Sequence, residues 1–73
     1  MSASVSFADI KAMMDVCANG WTFRVSTHSR VIHYNSMVYR AFPKHDPVQI
    51  GFVRKVARYF GILECAKKQI PGL

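Results

Sequence analysis

Long apolar runs, paired cysteines and acidic residues are all scarce in this 73-residue chain. No apolar stretch approaches the roughly 18 residues that a membrane span needs, and the start of the chain lacks the basic residues and apolar block of a signal peptide. Cys17 and Cys65 are too few for a disulfide framework, and no CxxC pair suggests a structural zinc. We therefore expect a cytoplasmic protein that binds no membrane, with two reduced, partly buried thiols.

The chain is rich in apolar residues and in positively charged residues. Hydrophobic residues make up 51% and aromatic residues 12%, which is typical of one folded domain over residues 1–73. Of the net charge of +6, most lies between residues 22 and 58, where Asp46 is the single acid. Such a surface attracts polyanions, most commonly nucleic acid, although surplus basic residues also serve solubility alone. The basic residues of this stretch are Arg24, Arg30, Arg40, Lys44, Arg54, Lys55 and Arg58.

Hydrophobic periodicity predicts the order of the elements. The segment "FADIKAMMDVC" repeats apolar residues at helical spacing after Ser6, and Asn19-Gly20 ends this helix. From Thr22 the period changes to two, and "RVIHY" and "MVYRAF" are two further strands joined by a tight turn at Asn35-Ser36. The three strands predict an antiparallel meander.

A second helix is expected after the third strand. Asp46 suits its N-cap and Pro47 its first position, with an apolar stripe running from Ile50 to Phe60 and Gly61 at its end. Residues 64–73 contain Pro71-Gly72 and are predicted to be a flexible tail, although the segment from Ile62 could instead add a turn of helix or pack Ile62 and Leu63 on the core. The resulting α+β fold, α-β-β-β-α with both helices on one face of the sheet, is the architecture of double-stranded-RNA-binding domains (dsRBDs).

The histidines are the candidate reactive groups. Serine or cysteine nucleophiles lack their partners here, and the histidines are too dispersed for a metal site, so we expect neither metal nor cofactor. One imidazole can support RNA cleavage, because the substrate 2′-hydroxyl is the nucleophile and the protein moves protons. His28 fits this role beside Arg24 and Arg30, although an exposed turn histidine would look the same. His33 reads as a sheet residue, and His45 as a phosphate contact near the second helix.

Several of these residues carry a likeness to a known family. Gly20-Trp21, the Thr27-His28 pair, Pro43-Lys44-His45 and the segment "IGFVRKVARYFGI" resemble the HicA (YcfA-like) toxins between Phe7 and Ile62. The family's Gly-Ser-His reads Ser26-Thr27-His28 here. The resemblance implies a dsRBD-like mRNA interferase, an endoribonuclease that cleaves mRNA without metal, uses His28 as its catalytic residue and is neutralised by a HicB-like antitoxin.

The sequence leaves a second function open. A phage or plasmid regulator with the same fold could bind RNA or a host protein without catalysis, and the changed Ser-Thr-His motif favours it. If the ligand is RNA, we expect it to meet a basic surface around the candidate catalytic His28. Its predicted members are Arg24, Arg30, Lys44, His45, Arg54, Lys55 and Arg58.

Overall fold

A three-stranded antiparallel sheet with helices packed against it forms an α+β fold. The computed structural model describes residues 3–73, so Met1 and Ser2 of the predicted domain lie outside the described residues. None of the helices in this range is long and apolar enough to cross a membrane. The elements are β1 (Ser4–Val5), α1 (Phe7–Cys17), β2 (Thr22–Val25), β3 (Arg30–Tyr34), β4 (Met37–Phe42), β5 (Val48–Gln49), α2 (Ile50–Tyr59) and α3 (Leu63–Gln69).

The central sheet has the predicted meander order, β2-β3-β4. Asn35 and Ser36 form the tight turn between β3 and β4, both with positive φ, as a two-residue hairpin of the favoured hand requires. The β2–β3 connection is the four-residue segment from Ser26 to Ser29, closed by a hydrogen bond from the Ser26 amide to the Ser29 carbonyl of 2.7 Å. The strand pattern in the sequence therefore predicted this sheet correctly.

Helices α1 and α2 pack against the same face of this sheet. On that face the Phe7 ring of α1 contacts Phe42 of β4, and Tyr59 at the end of α2 contacts Tyr39 of β4, with ring centroids 6.5 and 5.5 Å apart. The core between them is apolar and has almost no solvent exposure. Its largest fully buried side chains are Phe42, Ile10, Met13, Met14, Ile32, Val48, Val53 and Val56.

The start of the second helix differs from the prediction. Helix α2 begins at Ile50, not at Pro47, because Val48–Gln49 forms β5 and pairs antiparallel with β1. Asp46 does not cap α2. Its Oδ1 instead accepts a hydrogen bond of 3.0 Å from the amide of Phe7, the first residue of α1. Two-residue strands leave no periodic trace in a sequence, which is why the β1–β5 sheet was not predicted.

The end of the chain also differs from the prediction. Residues 63–69 form helix α3 rather than a flexible tail, and Ala66 and Ile70 are buried against the core. The two cysteines are not reduced thiols, because Cys17 at the end of α1 and Cys65 in α3 form a disulfide with Cα atoms 5.7 Å apart. This crosslink joins positions 48 residues apart and fixes α3 to α1.

The crosslink should contribute measurably to stability. A closed loop of this length is expected to stabilise the fold by about 4 kcal/mol through the restricted unfolded chain. We predict that the double variant Cys17→Ser/Cys65→Ser unfolds at a lower urea concentration than the oxidised protein. Wild type treated with a reducing agent should unfold at nearly the concentration of the variant. Equal midpoints for oxidised and reduced wild type would contradict this.

Candidate nucleic-acid interface

His28 lies at the tip of the Ser26–Ser29 turn, which joins the first two strands of the central sheet. The turn is held by its own serines, since Ser26 Oγ donates to the Ser29 carbonyl (2.8 Å) and accepts from the Ser29 amide (3.3 Å). Ser29 Oγ also donates to the Arg40 carbonyl of β4 at 2.8 Å. The His28 side chain is exposed, and no group within residues 3–73 hydrogen-bonds to its imidazole. The sequence therefore builds a fixed turn with a free histidine.

The segment from Pro43 to Asp46 lies beside this turn. Lys44 Nζ donates to the Thr27 carbonyl at 3.3 Å, which brings a cation next to His28. His45 follows directly and is exposed like Lys44. Because α2 begins only at Ile50, His45 belongs to this end of the sheet and not to a helix N-terminus as predicted. We call His28, Lys44 and His45 the turn patch.

Arg30 was predicted to bind RNA, but the structure places it in the scaffold. Its residue is only 8% exposed, and its guanidinium carbon lies 3.6 Å from the centre of the Phe7 ring. Nη1 donates to the carbonyls of Pro43 (2.9 Å) and His45 (3.3 Å). Burial lowers the pKa of Arg30, and the nearby Asp46 carboxylate opposes that shift. These contacts hold the Pro43–Asp46 segment in place and leave little of the guanidinium for a phosphate.

None of the basic residues of α2 hydrogen-bonds to the turn patch among residues 3–73. Arg54 points to the end of the described chain, where Nε and Nη2 donate to the carbonyls of Leu73 and Gly72, each at 3.4 Å. Lys55 and Arg58 are exposed. Arg58 precedes Tyr59, whose ring packs on Tyr39, the partner of Ile32 at the middle of β3. Lys55 and Arg58 of α2 and Lys44 of the turn patch therefore belong to different elements of the fold.

Two arginines on the strands have side chains that form no hydrogen bond or ion pair with the described residues 3–73. In β2, the ring of Phe23 packs on Phe7 of α1, so Phe23 faces the helices. Arg24 is the next residue of the strand and therefore points to the opposite face, away from the helices. Arg40 of β4 is exposed and its side chain forms no ion pair or hydrogen bond within residues 3–73. Arg40 belongs to the basic stretch of the sequence but was not among the predicted RNA-binding residues. Its adjacency to the His28 turn comes from the irregular β3–β4 register, which strand periodicity does not reveal.

The described part of the chain offers no clear set of ligands for a metal ion. Among the residues that the structure describes, no three histidine, cysteine or carboxylate side chains converge as metal ligands. His33 lines a shallow cleft of about 360 Å³ with Thr22 and the Asn35–Ser36 turn, at the opposite end of the sheet from His28. His28 and His33 therefore do not form a pair.

Arg30 and Arg24 provide a matched test of structural against free arginine. Replacing Arg30 by Met removes the donors to the Pro43 and His45 carbonyls and the contact of the cation with Phe7. We expect the free energy of unfolding to fall by about 2 kcal/mol. Arg24→Met should change it by less than about 0.5 kcal/mol, because the side chain is exposed. Urea unfolding compares the two, and equal losses would show that Arg30 does not anchor the fold.

Comparison with known proteins identifies no relative of this chain. No family model, no curated protein and no solved structure matches it. The likeness to HicA toxins therefore stays a prediction that depends on the quoted motifs alone. The α+β fold with its three-stranded antiparallel sheet is established by the structure without reference to any family.

Proposed function

We propose that the protein binds RNA at the turn patch and cleaves it with His28 as general acid or base. The observation that carries this proposal is the exposed His28 imidazole on a fixed turn. Lys44 donates a hydrogen bond to the carbonyl of the preceding residue, Thr27, and His45 follows Lys44 in the chain. An imidazole can accept a proton at one ring nitrogen and donate one from the other, which is what general acid or base catalysis of this reaction needs. Adjacent cations suit an anionic phosphodiester and the extra charge of its transition state.

The reaction that fits these groups needs no nucleophile from the protein. The 2′-oxygen of the RNA attacks the adjacent phosphorus and loses its proton, while the bond from phosphorus to the 5′-oxygen breaks. The leaving 5′-oxygen takes up a proton, so the products are a 2′,3′-cyclic phosphate and a 5′-hydroxyl end. His28 transfers one of these protons, and Lys44 stabilises the phosphate charge.

The biological setting belongs to the same proposal. The motifs shared with HicA toxins favour mRNA as the substrate, a HicB-like antitoxin as the protein that neutralises the activity, and the cytoplasm as the place of action. In this setting the protein is an mRNA interferase, and its expression without the antitoxin slows growth. A dsRBD-like surface that contacts phosphates would read little RNA sequence.

A second candidate function is supported by the free His28 ring. Catalytic histidines are commonly oriented by a hydrogen bond to one ring nitrogen, and no such bond exists within residues 3–73. A regulator that binds RNA or a host protein through the same patch needs no oriented imidazole. This candidate differs from the first in one measurable property, since it binds without cleaving.

We predict that purified protein cleaves a single-stranded RNA in the presence of EDTA, and that His28→Ala slows cleavage by about 10²–10⁴-fold. The same sequence as DNA should stay intact, because it lacks the 2′-hydroxyl nucleophile. Analysis of the RNA ends should find the cyclic phosphate. Thr27→Ala is the matched control, because it alters the neighbouring exposed side chain and keeps the carbonyl that Lys44 contacts.

Three outcomes separate the candidates. Loss of cleavage in His28→Ala but not in Thr27→Ala supports the ribonuclease. RNA binding without cleavage by wild type and His28→Ala alike contradicts the ribonuclease and supports the non-catalytic regulator. If neither protein binds RNA at low salt, the proposal of an RNA interface is wrong. Urea unfolding of each variant shows whether a change in activity follows from a change in stability.

A further inference from the structure

The face of the central sheet that points away from the helices has not been assigned any role. Helices α1 and α2 pack on the face that carries Phe23, Ile32 and Tyr39, while α3 packs against α1 and α2. The opposite face, which we call the outer face, is left without a covering element among residues 3–73. Its positions follow from the strand register and are Thr22, Arg24, Val31, His33, Val38, Arg40 and Ala41.

An irregularity in the β3–β4 pairing places two arginines on this face on either side of the central strand. Arg24 of β2 is directly opposite Val31. On the other side of β3, the pairing jumps from Arg30↔Phe42 to Ile32↔Tyr39, so that Arg40 and Ala41 together face Val31. Val31 is only 5% exposed although no helix covers it, as expected if the side chains of these neighbours lie over it.

Both guanidiniums are available for a ligand. Neither Arg24 nor Arg40 donates a side-chain hydrogen bond or forms an ion pair within residues 3–73, whereas Arg30 and Arg54 are engaged with backbone carbonyls. Their strands are separated by the central strand alone, about 10 Å in all, so the two side chains can contact separate phosphates of one strand.

The outer face carries cations and no acid. Of the four acidic residues in the sequence, Asp9 and Asp15 lie on α1 and Glu64 on α3, while Asp46 bonds to the amide of Phe7 at the helix side of the sheet. A polyanion on the outer face therefore meets positive charge without a compensating repulsive group. No tyrosine, tryptophan or phenylalanine lies on this face, so it offers phosphate contacts and not base stacking.

The outer face also continues from the turn patch. Ser29 Oγ bonds to the carbonyl of Arg40, which places the His28 turn directly beside that arginine. Beyond Arg24 and Arg40 the central strand leads to His33, which is half-buried at the cleft near the Asn35–Ser36 turn. Arg24 and Arg40 thus lie on the outer face between the candidate catalytic histidine and His33.

We infer that the outer face binds the sugar-phosphate backbone of single-stranded RNA, with Arg24 and Arg40 on phosphates and His33 at the far end. This inference rests on the proposed function and specifies where the substrate lies. A single strand fits better than a duplex, because the outer face is only three strands wide and attack by the 2′-oxygen needs a flexible linkage. Binding through phosphates predicts weak dependence on sequence and strong dependence on salt.

Binding can be measured apart from cleavage. The probe is a fluorescent single-stranded RNA with 2′-O-methyl groups throughout, which cannot be cleaved by 2′-oxygen attack, titrated with wild type and variants at several salt concentrations. We expect the double variant Arg24→Gln/Arg40→Gln to bind the RNA at least about tenfold more weakly. The slope of log affinity against log salt should become smaller by about 1.4, because each lost phosphate contact on a single strand reduces it by about 0.7. The control Lys67→Gln/Lys68→Gln removes the same charge from the exposed side of α3 and should bind nearly as wild type.

The outcomes distinguish this inference from the ribonuclease proposal. Equal weakening in the arginine and lysine variants would overturn the outer-face inference, because only net charge would then matter, and His28-dependent cleavage could still stand. A specific loss in the arginine variant supports the inference even if His28→Ala cleaves as wild type does, which would refute only the catalytic role. Tighter binding of a duplex of the same sequence than of the single strand would also overturn the inference.

Discussion

The contact between Arg30 and Phe7 is the constraint on which the rest of the interface depends. The guanidinium of a central strand residue lies on the ring of the first α1 residue and donates to two carbonyls of the Pro43–Asp46 segment. Asp46 completes the arrangement by accepting from the Phe7 amide. Sheet, helix and loop are thereby joined at one point. Lys44 and His45 stand beside His28 because this arrangement holds their backbone in place.

The burial of Arg30 also determines which cationic side chains are left to contact a ligand. Removing a guanidinium from water costs free energy, which here is offset by the carbonyl hydrogen bonds and the Phe7 ring. Arg54 is committed in a similar way to the carbonyls of Gly72 and Leu73. The net charge of +6 therefore overstates the cations that a ligand can meet. The free arginines of the sheet, Arg24 and Arg40, lie on the face without helices.

Periodic features of the sequence predicted the fold well, and features that depend on tertiary contacts were not predictable. Helix α1, the meander and the Asn35–Ser36 turn follow from local patterns. The different roles of Arg24 and Arg30 do not, because Arg30 is buried on the face that packs against the helices only through the approach of Phe7, whereas Arg24 lies on the opposite face of the sheet. Helix α3 was missed because Pro71-Gly72 suggested a tail, while its order depends on burial of Ala66 and Ile70.

The disulfide and the proposed substrate are typical of different redox compartments. mRNA is met in the cytoplasm, where thiols are usually kept reduced, whereas Cys17 and Cys65 form a crosslink here. Helix α3 has attachments that do not depend on that bond, namely the buried Ala66 and Ile70 and the hydrogen bonds from Arg54 to the residues after the helix. None of these attachments involves the turn patch or the outer face. A reduced chain would therefore lose stability at α3 first, while Arg30 continues to hold the turn patch in place.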